Sequence, residues 1–249
     1  MLGRELVEPP VYAPWLGRLA LTMRSNPDVA DAYNALLGAL RLARALASGN
    51  SILVTSAQPG DGKTTVSSCL ALTASLAGQP ALLIDGDLRR SSLTASVGCD
   101  GTVGLIEVLL GEAEPAEAIR AVGASAESPR AGAISFMSSG RKPATFVTAV
   151  NWPRARGVFR SMAQEFSLVI LDSPPVLAVN DALLFASLVD AVVLVAGPGS
   201  TDRDELRQVK EHLDAIGTPV IGAILNQFEP KLHGRSNQPY RGYHRQSPA

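Results

Sequence analysis

Short apolar runs alternate along the chain with segments whose apolar positions recur three and four residues apart. The runs "SILVT" from Ser51, "ALLID" ending at Asp85, "SLVILD" ending at Asp172, "DAVVLVA" from Asp190 and "PVIGAILN" ending at Asn226 read as strands. They lack the in-out alternation of a half-exposed strand, so burial on both faces is expected. Between them, Pro27 to Ala47, Thr64 to Ala74, residues 102 to 121, Arg154 to Glu165, Asp181 to Leu188 and Asp202 to Ile216 read as helices. Pro27 suits a first helical turn, and Gly78 with Pro80 marks a turn into the second strand. A soft segment, "GASAESPRAGA", precedes a short apolar stretch from Ala133 to Met137. This alternation predicts an α/β domain with a parallel sheet, right-handed crossovers and helices on both faces. Residues 1–26 carry several prolines and no clear period, which predicts an extended surface arm. Residues 27–230 form the predicted domain, and residues 231–249 a flexible tail rich in Gly, Pro, Ser and Gln.

Composition fits that outline. Of 249 residues, 46% are hydrophobic and only 5% aromatic, so aliphatic side chains must fill the core. A net charge of −1 gives no general reason to expect nucleic acid as a partner. No apolar run has the length of a membrane span, and "MLGRELVEPPVYAP" is too acidic and proline-broken for a signal peptide, so a cytoplasmic location is expected. Cys69 and Cys99 belong to no motif, and Cys69 reads as a small core residue.

The stretch "SILVTSAQPGDGKTTVSSCLA" holds the strongest chemical signal. A strand runs through a glycine-rich loop into a helix, which aims unpaired N–H groups and the positive end of a helix dipole at one spot. From Ala57 to Thr64 the spacing is that of a P-loop whose first glycine is alanine. Gly60, Asp61, Gly62, Lys63, Thr64 and Thr65 are the expected nucleotide-binding run. Lys63 can reach the β/γ oxygens of a triphosphate, and the Thr64 hydroxyl can ligand Mg²⁺. The competing reading is a glycine turn that merely opens a helix. The order of strand, loop, Lys-Thr and helix weighs against it, and the lysine with the missing third glycine excludes a dinucleotide fingerprint.

Ligands of such sheets bind beyond the C-terminal strand ends, where Asp85, Asp87 and Asp172 fall. Any one alone reads equally well as a helix cap or turn residue. Three beside a P-loop suggest a metal shell, with Thr64, Asp85 and Asp172 as candidate ligands and one of Asp85 and Asp87 as a base. Asn226 can meet an adenine edge or can cap a helix.

The segments "SAQPGDGKTT", "ALLIDGDLRR" and "LVILDSPPVLAVNDA" resemble, in order and spacing, the Walker A, A′ and B motifs of the bacterial tyrosine kinases that control capsule and exopolysaccharide assembly. "GTVGLIEVLLGEA" is similar to the family's segment after Walker A′. The resemblance covers about residues 27 to 228. It implies a P-loop NTPase fold, ATP and Mg²⁺, and an autokinase working with a transmembrane polysaccharide co-polymerase at the inner face of the membrane. By position it implies Lys63 and Thr64 at the phosphates and Mg²⁺, the three aspartates around metal and nucleophile, and Asn226 near the base. Tyr240 and Tyr243, in the tail, stand where the family carries its phosphoacceptor tyrosines. The family's Glu-x-x-Arg-x-x-Arg oligomerisation motif stands here as Asp31, Asn34 and Leu37, so a homo-oligomer cannot rest on those arginines.

Two further readings compete with the autokinase. One is an ATP-dependent switch or adaptor that acts on the membrane protein without phosphotransfer, as the sparse tyrosines and absent arginines suggest. The other is a partition or septum-positioning ATPase of the same fold. That class carries an additional lysine early in the P-loop, where this chain has Ser56, Ala57 and Gln58.

Overall fold

The computed structural model describes residues 11–47, 49–99, 102–123, 133–141 and 150–228. The strands are β1 (Val11–Tyr12), β2 (Ser51–Ser56), β3 (Ala81–Asp85), β4 (Ile119–Gly123), β5 (Ile134–Met137), β6 (Leu168–Asp172), β7 (Ala191–Ala196) and β8 (Val220–Leu225). They form one sheet in the order β1-β4-β5-β3-β6-β2-β7-β8. All pairs are parallel except β4 with β5. The central strands β3, β6, β2 and β7 are buried along their whole length, as continuous apolar runs require. On β8 the same reading fails: it is an edge strand in which Gly222, Ala223 and Leu225 are exposed.

Helices cover both faces. On one lie α1 (Pro14–Ser25), α2 (Pro27–Ala47) and α3 (Lys63–Leu76), with α4 (Ser92–Val97) beside them. On the other lie α5 (Leu105–Leu110), α7 (Trp152–Glu165), α8 (Asp181–Ala186) and α9 (Arg203–Ile216), the short α6 (Pro115–Ala118) following α5. Side-chain caps open two of these helices. Asn151 caps α7 by accepting from the Arg154 N–H, and Asp202 and Glu205 form a reciprocal capping box on α9.

Two stretches depart from the sequence reading. Residues 14–25 are not an extended arm but a helix that buries Leu16, Ala20 and Met23, while the Trp15 indole N–H reaches Ser68 Oγ on α3. Pro14 sits in its first turn, where a missing N–H costs nothing, so a proline taken for a breaker is a starter. The stretch 102–121 is not one helix. Gly111 turns left-handed at φ 82°, Pro115 opens a separate turn, and Ile119 enters β4, whose pairing depends on the distant β5.

Candidate nucleotide site

β2, β3, β6, β7 and β8 end along one side of the sheet, which gathers the loops that follow them. β2 runs directly into the P-loop. Gly60 and Gly62 have φ of 92° and 87°, a conformation that side chains disfavour, and Gly62 caps α3 so that Lys63 and Thr64 occupy its first turn. The Lys63 ammonium is buried and donates to Ser56 Oγ at 3.0 Å. Burial lowers its pKa, while the nearby Asp172, Asp61 and Asp87 oppose that shift.

Asp172 pairs in register with Val54 on one side and Asp85 on the other. Its Oδ2 accepts from the Thr64 hydroxyl at 2.7 Å and its Oδ1 from Ser67 Oγ at 3.0 Å. Burial pushes its pKa up to about 7. Thr64 and Ser67 counter this through their hydrogen bonds, while the neighbouring Asp85 adds to it.

The two aspartates after β3 part company. Asp87 lines the cleft and accepts from the Arg90 N–H. Asp85 does not reach the cleft: Oδ2 accepts from both the N–H and the hydroxyl of Thr94, and Oδ1 from the Asp87 N–H. Its pKa is raised by burial, and these bonds hold it down. These bonds make Asp85 fasten α4 to the Asp87 loop, a fully buried carboxylate taking the donors closest to it.

Asn226 is no helix cap. It follows β8 and donates from Nδ2 to the Asp61 carbonyl at 2.9 Å, close behind Gly62. The Asp61 side chain is fully buried and turned from the cleft, accepting from the hydroxyls of Ser200 and Thr201. Gln58 donates to Glu205, and Gln227 to the Gly60 carbonyl. These braces tie the P-loop to the loops after β7 and β8. Sequence reading missed them because the partners lie more than a hundred residues away.

The cleft encloses about 420 Å³. Its floor is Pro59, Gly60 and Gly62 to Thr65, one wall carries Asp87, Arg89, Arg90 and Ser92, and the other carries Ser173 to Pro175, Ala178 and Val179. Arg89 pairs with Asp181, just beyond the second wall, a contact the sequence did not reveal. Among the described residues no cluster of three His, Cys, Asp or Glu side chains makes a metal cage. Magnesium in phosphate sites is held by one or two protein oxygens with substrate phosphates and water, so Thr64 and Asp172 beside left-handed glycines fit a Mg²⁺-triphosphate. Tyr240 and Tyr243 lie outside the described residues.

Sheet order, P-loop and carboxylate together define a P-loop nucleotide-binding protein of the α/β class. No family model matches the chain. It is 32% identical over 192 residues to the tyrosine-protein kinase YwqD of Bacillus subtilis strain 168, spanning 77% of each chain. To the tyrosine-protein kinase CpsD of Streptococcus agalactiae it is 32% identical over 185 residues, 74% of this chain and 78% of that one. The solved kinase domain of the Escherichia coli tyrosine kinase ETK superposes with a TM-score of 0.71 at 31% identity, covering 79% of this chain and 74% of that one. The chain belongs to this family of bacterial tyrosine-protein kinases, and its enzyme class is protein-tyrosine kinase. The septum-site protein MinD of Pyrococcus horikoshii, solved with Mg-ADP, shares the fold at 23% identity, with a TM-score of 0.59 over 78% of this chain and 75% of that one. Among the described residues no helix is long and apolar enough to cross a membrane.

Proposed function

We propose that the protein is an ATP- and Mg²⁺-dependent autokinase that phosphorylates Tyr240 and Tyr243 of a neighbouring copy. In this reading it regulates the polymerisation and export of a capsular or exopolysaccharide at the inner face of the membrane, through a transmembrane co-polymerase. The observation that carries the reading is the convergence of Lys63, Thr64 and Asp172 beneath a cleft whose wall holds Asp87. ATP supplies the γ-phosphoryl group. Lys63 and the N–H groups opening α3 take up charge on the transferring oxygens, and Thr64 with Asp172 holds the metal. Of the two candidate bases, Asp87 lines the cleft and receives the tyrosyl proton as the hydroxyl oxygen bonds to phosphorus and ADP leaves.

The nucleotide switch draws on one observation. Leu37, at the third position of the family's oligomerisation motif, is buried in the core beside the sheet and offers no interface. Purified protein given Mg²⁺, ATP and the cytoplasmic segment of its co-polymerase should gain phosphotyrosine at Tyr240 or Tyr243 by mass spectrometry. Phosphate release without phosphotyrosine identifies the switch instead.

A further inference from the structure

Arg89, on one wall of the cleft, pairs with Asp181, two residues beyond Val179 of the other wall. Arg89 lies two residues beyond Asp87, and its Nε donates to Asp181 Oδ2 at 2.9 Å while Nη2 reaches Oδ1 at 3.4 Å. The two ends differ sharply in exposure, the Arg89 side chain being 62% accessible and that of Asp181 5%. An arginine so exposed has the freedom to point into water. The Asp181 carboxylate, at the start of α8, is buried and draws both its side-chain hydrogen bonds among the described residues from this guanidinium, which helps to hold it.

Each end is rigid. α8 is anchored in the core by Ala182, Phe185 and Ala186, and Val179, two residues before Asp181, lines the opposite wall. On the other side the Arg90 and Ser91 N–H groups fold back on Asp87, its carboxylate and its carbonyl respectively. Fixing Arg89 therefore fixes the Asp87 carboxylate relative to the wall of Pro174, Pro175 and Val179.

We infer that the Arg89–Asp181 pair is a clasp that sets the width of the cleft on the acceptor side, so that the incoming tyrosyl hydroxyl meets Asp87 at the right distance. Both are positioning residues. The inference rests on the kinase reading above and adds to it the determinant of acceptor placement, separate from the groups that hold the nucleotide. In-line transfer is sensitive to such placement, since an error of an ångström in the reacting geometry lowers rates by up to about a hundredfold.

The test uses the full chain with Mg²⁺-ATP, the cytoplasmic segment of its co-polymerase and a synthetic peptide of residues 231–249 as acceptor, compared among wild type, Arg89→Ala, Asp181→Asn and the double variant. Each single variant should lower kcat for tyrosine phosphorylation by about 10- to 100-fold, with Mg-ADP affinity within about twofold of wild type. The double variant should be no worse than the weaker single one, because the clasp works as a unit. Should Arg89→Ala melt early, Arg89→Lys takes its place, keeping the charge but not the fork, with the same split expected. Full activity in Asp181→Asn alongside a defective Arg89 variant overturns the inference, since Arg89 would then touch the phosphate itself. Loss of Mg-ADP binding in step with kcat also overturns it, by reducing the pair to a support of the fold. A wild type that binds Mg-ADP but forms no phosphotyrosine removes the kinase reading and the inference with it.

Discussion

The Thr64 hydroxyl donates to Asp172 Oδ2 at 2.7 Å, joining the first turn of α3 to the end of β6 where a metal ion would sit between them. With its second oxygen engaged by Ser67, the carboxylate is fully satisfied yet almost without water.

That burial gives a pH signature. The folded-state pKa of Asp172 is pushed up to about 7, above its unfolded value, so between the two the native protein holds a proton that the unfolded chain lacks. The stabilisation is complete below the ordinary aspartate range and is lost as pH rises through about 7. Unfolding free energy of the nucleotide-free protein should fall across that window by up to about 1.4 kcal/mol per pH unit relative to Asp172→Asn. Parallel denaturation profiles of the two proteins from pH 5 to 8 would refute this.

Magnesium reverses the preference, because the metal needs the ionised carboxylate. Mg-ADP affinity, measured by calorimetry, should rise with pH up to about 7 and then level off. In Asp172→Asn it should be weak at every pH.

Lys63→Met should act in opposite directions on stability and activity. Burial already disfavours the ammonium, so an apolar side chain of similar length leaves the nucleotide-free protein unchanged or more stable by about 1 kcal/mol. Phosphotyrosine formation should disappear. A variant that is strongly destabilised without nucleotide, or that remains active, contradicts the role given to Lys63.

Asp85 and Asp87 should separate by experiment. Thr94→Val removes one of the donors that hold Asp85 and should cost about 1–3 kcal/mol in denaturant unfolding. Asp87→Asn keeps an acceptor for the Arg90 N–H, so its stability should stay near wild type while kcat falls by about 10²–10⁴. If Asp87→Asn proves fully active, the base lies elsewhere.

Gly62→Ala tests the bracing of the P-loop. At φ 87° the new methyl group is strained, and it would meet Asn226 Nδ2, displacing it from the Asp61 carbonyl. A loss of about 1–3 kcal/mol of stability is expected, together with weaker Mg-ADP binding by calorimetry. Wild-type affinity in this variant would show the Asn226 brace to be idle.

The chain by itself determined the central strands, the P-loop and the family motifs, because these are local: an apolar run, two glycines before Lys-Thr, and acids at strand ends. A helix period and a cap are likewise written within a few neighbouring residues, and α7 and α9 form where their signals fall. Only the tertiary structure decided which aspartate faces the cleft, that Pro14 begins a packed helix, that β4 joins the sheet antiparallel, and that Asp61, Asn226 and Arg89 are held by partners from other loops. Those outcomes depend on contacts between residues far apart in sequence, where burial forces each polar group to take whichever donor or acceptor folding brings beside it, and no local pattern records that choice.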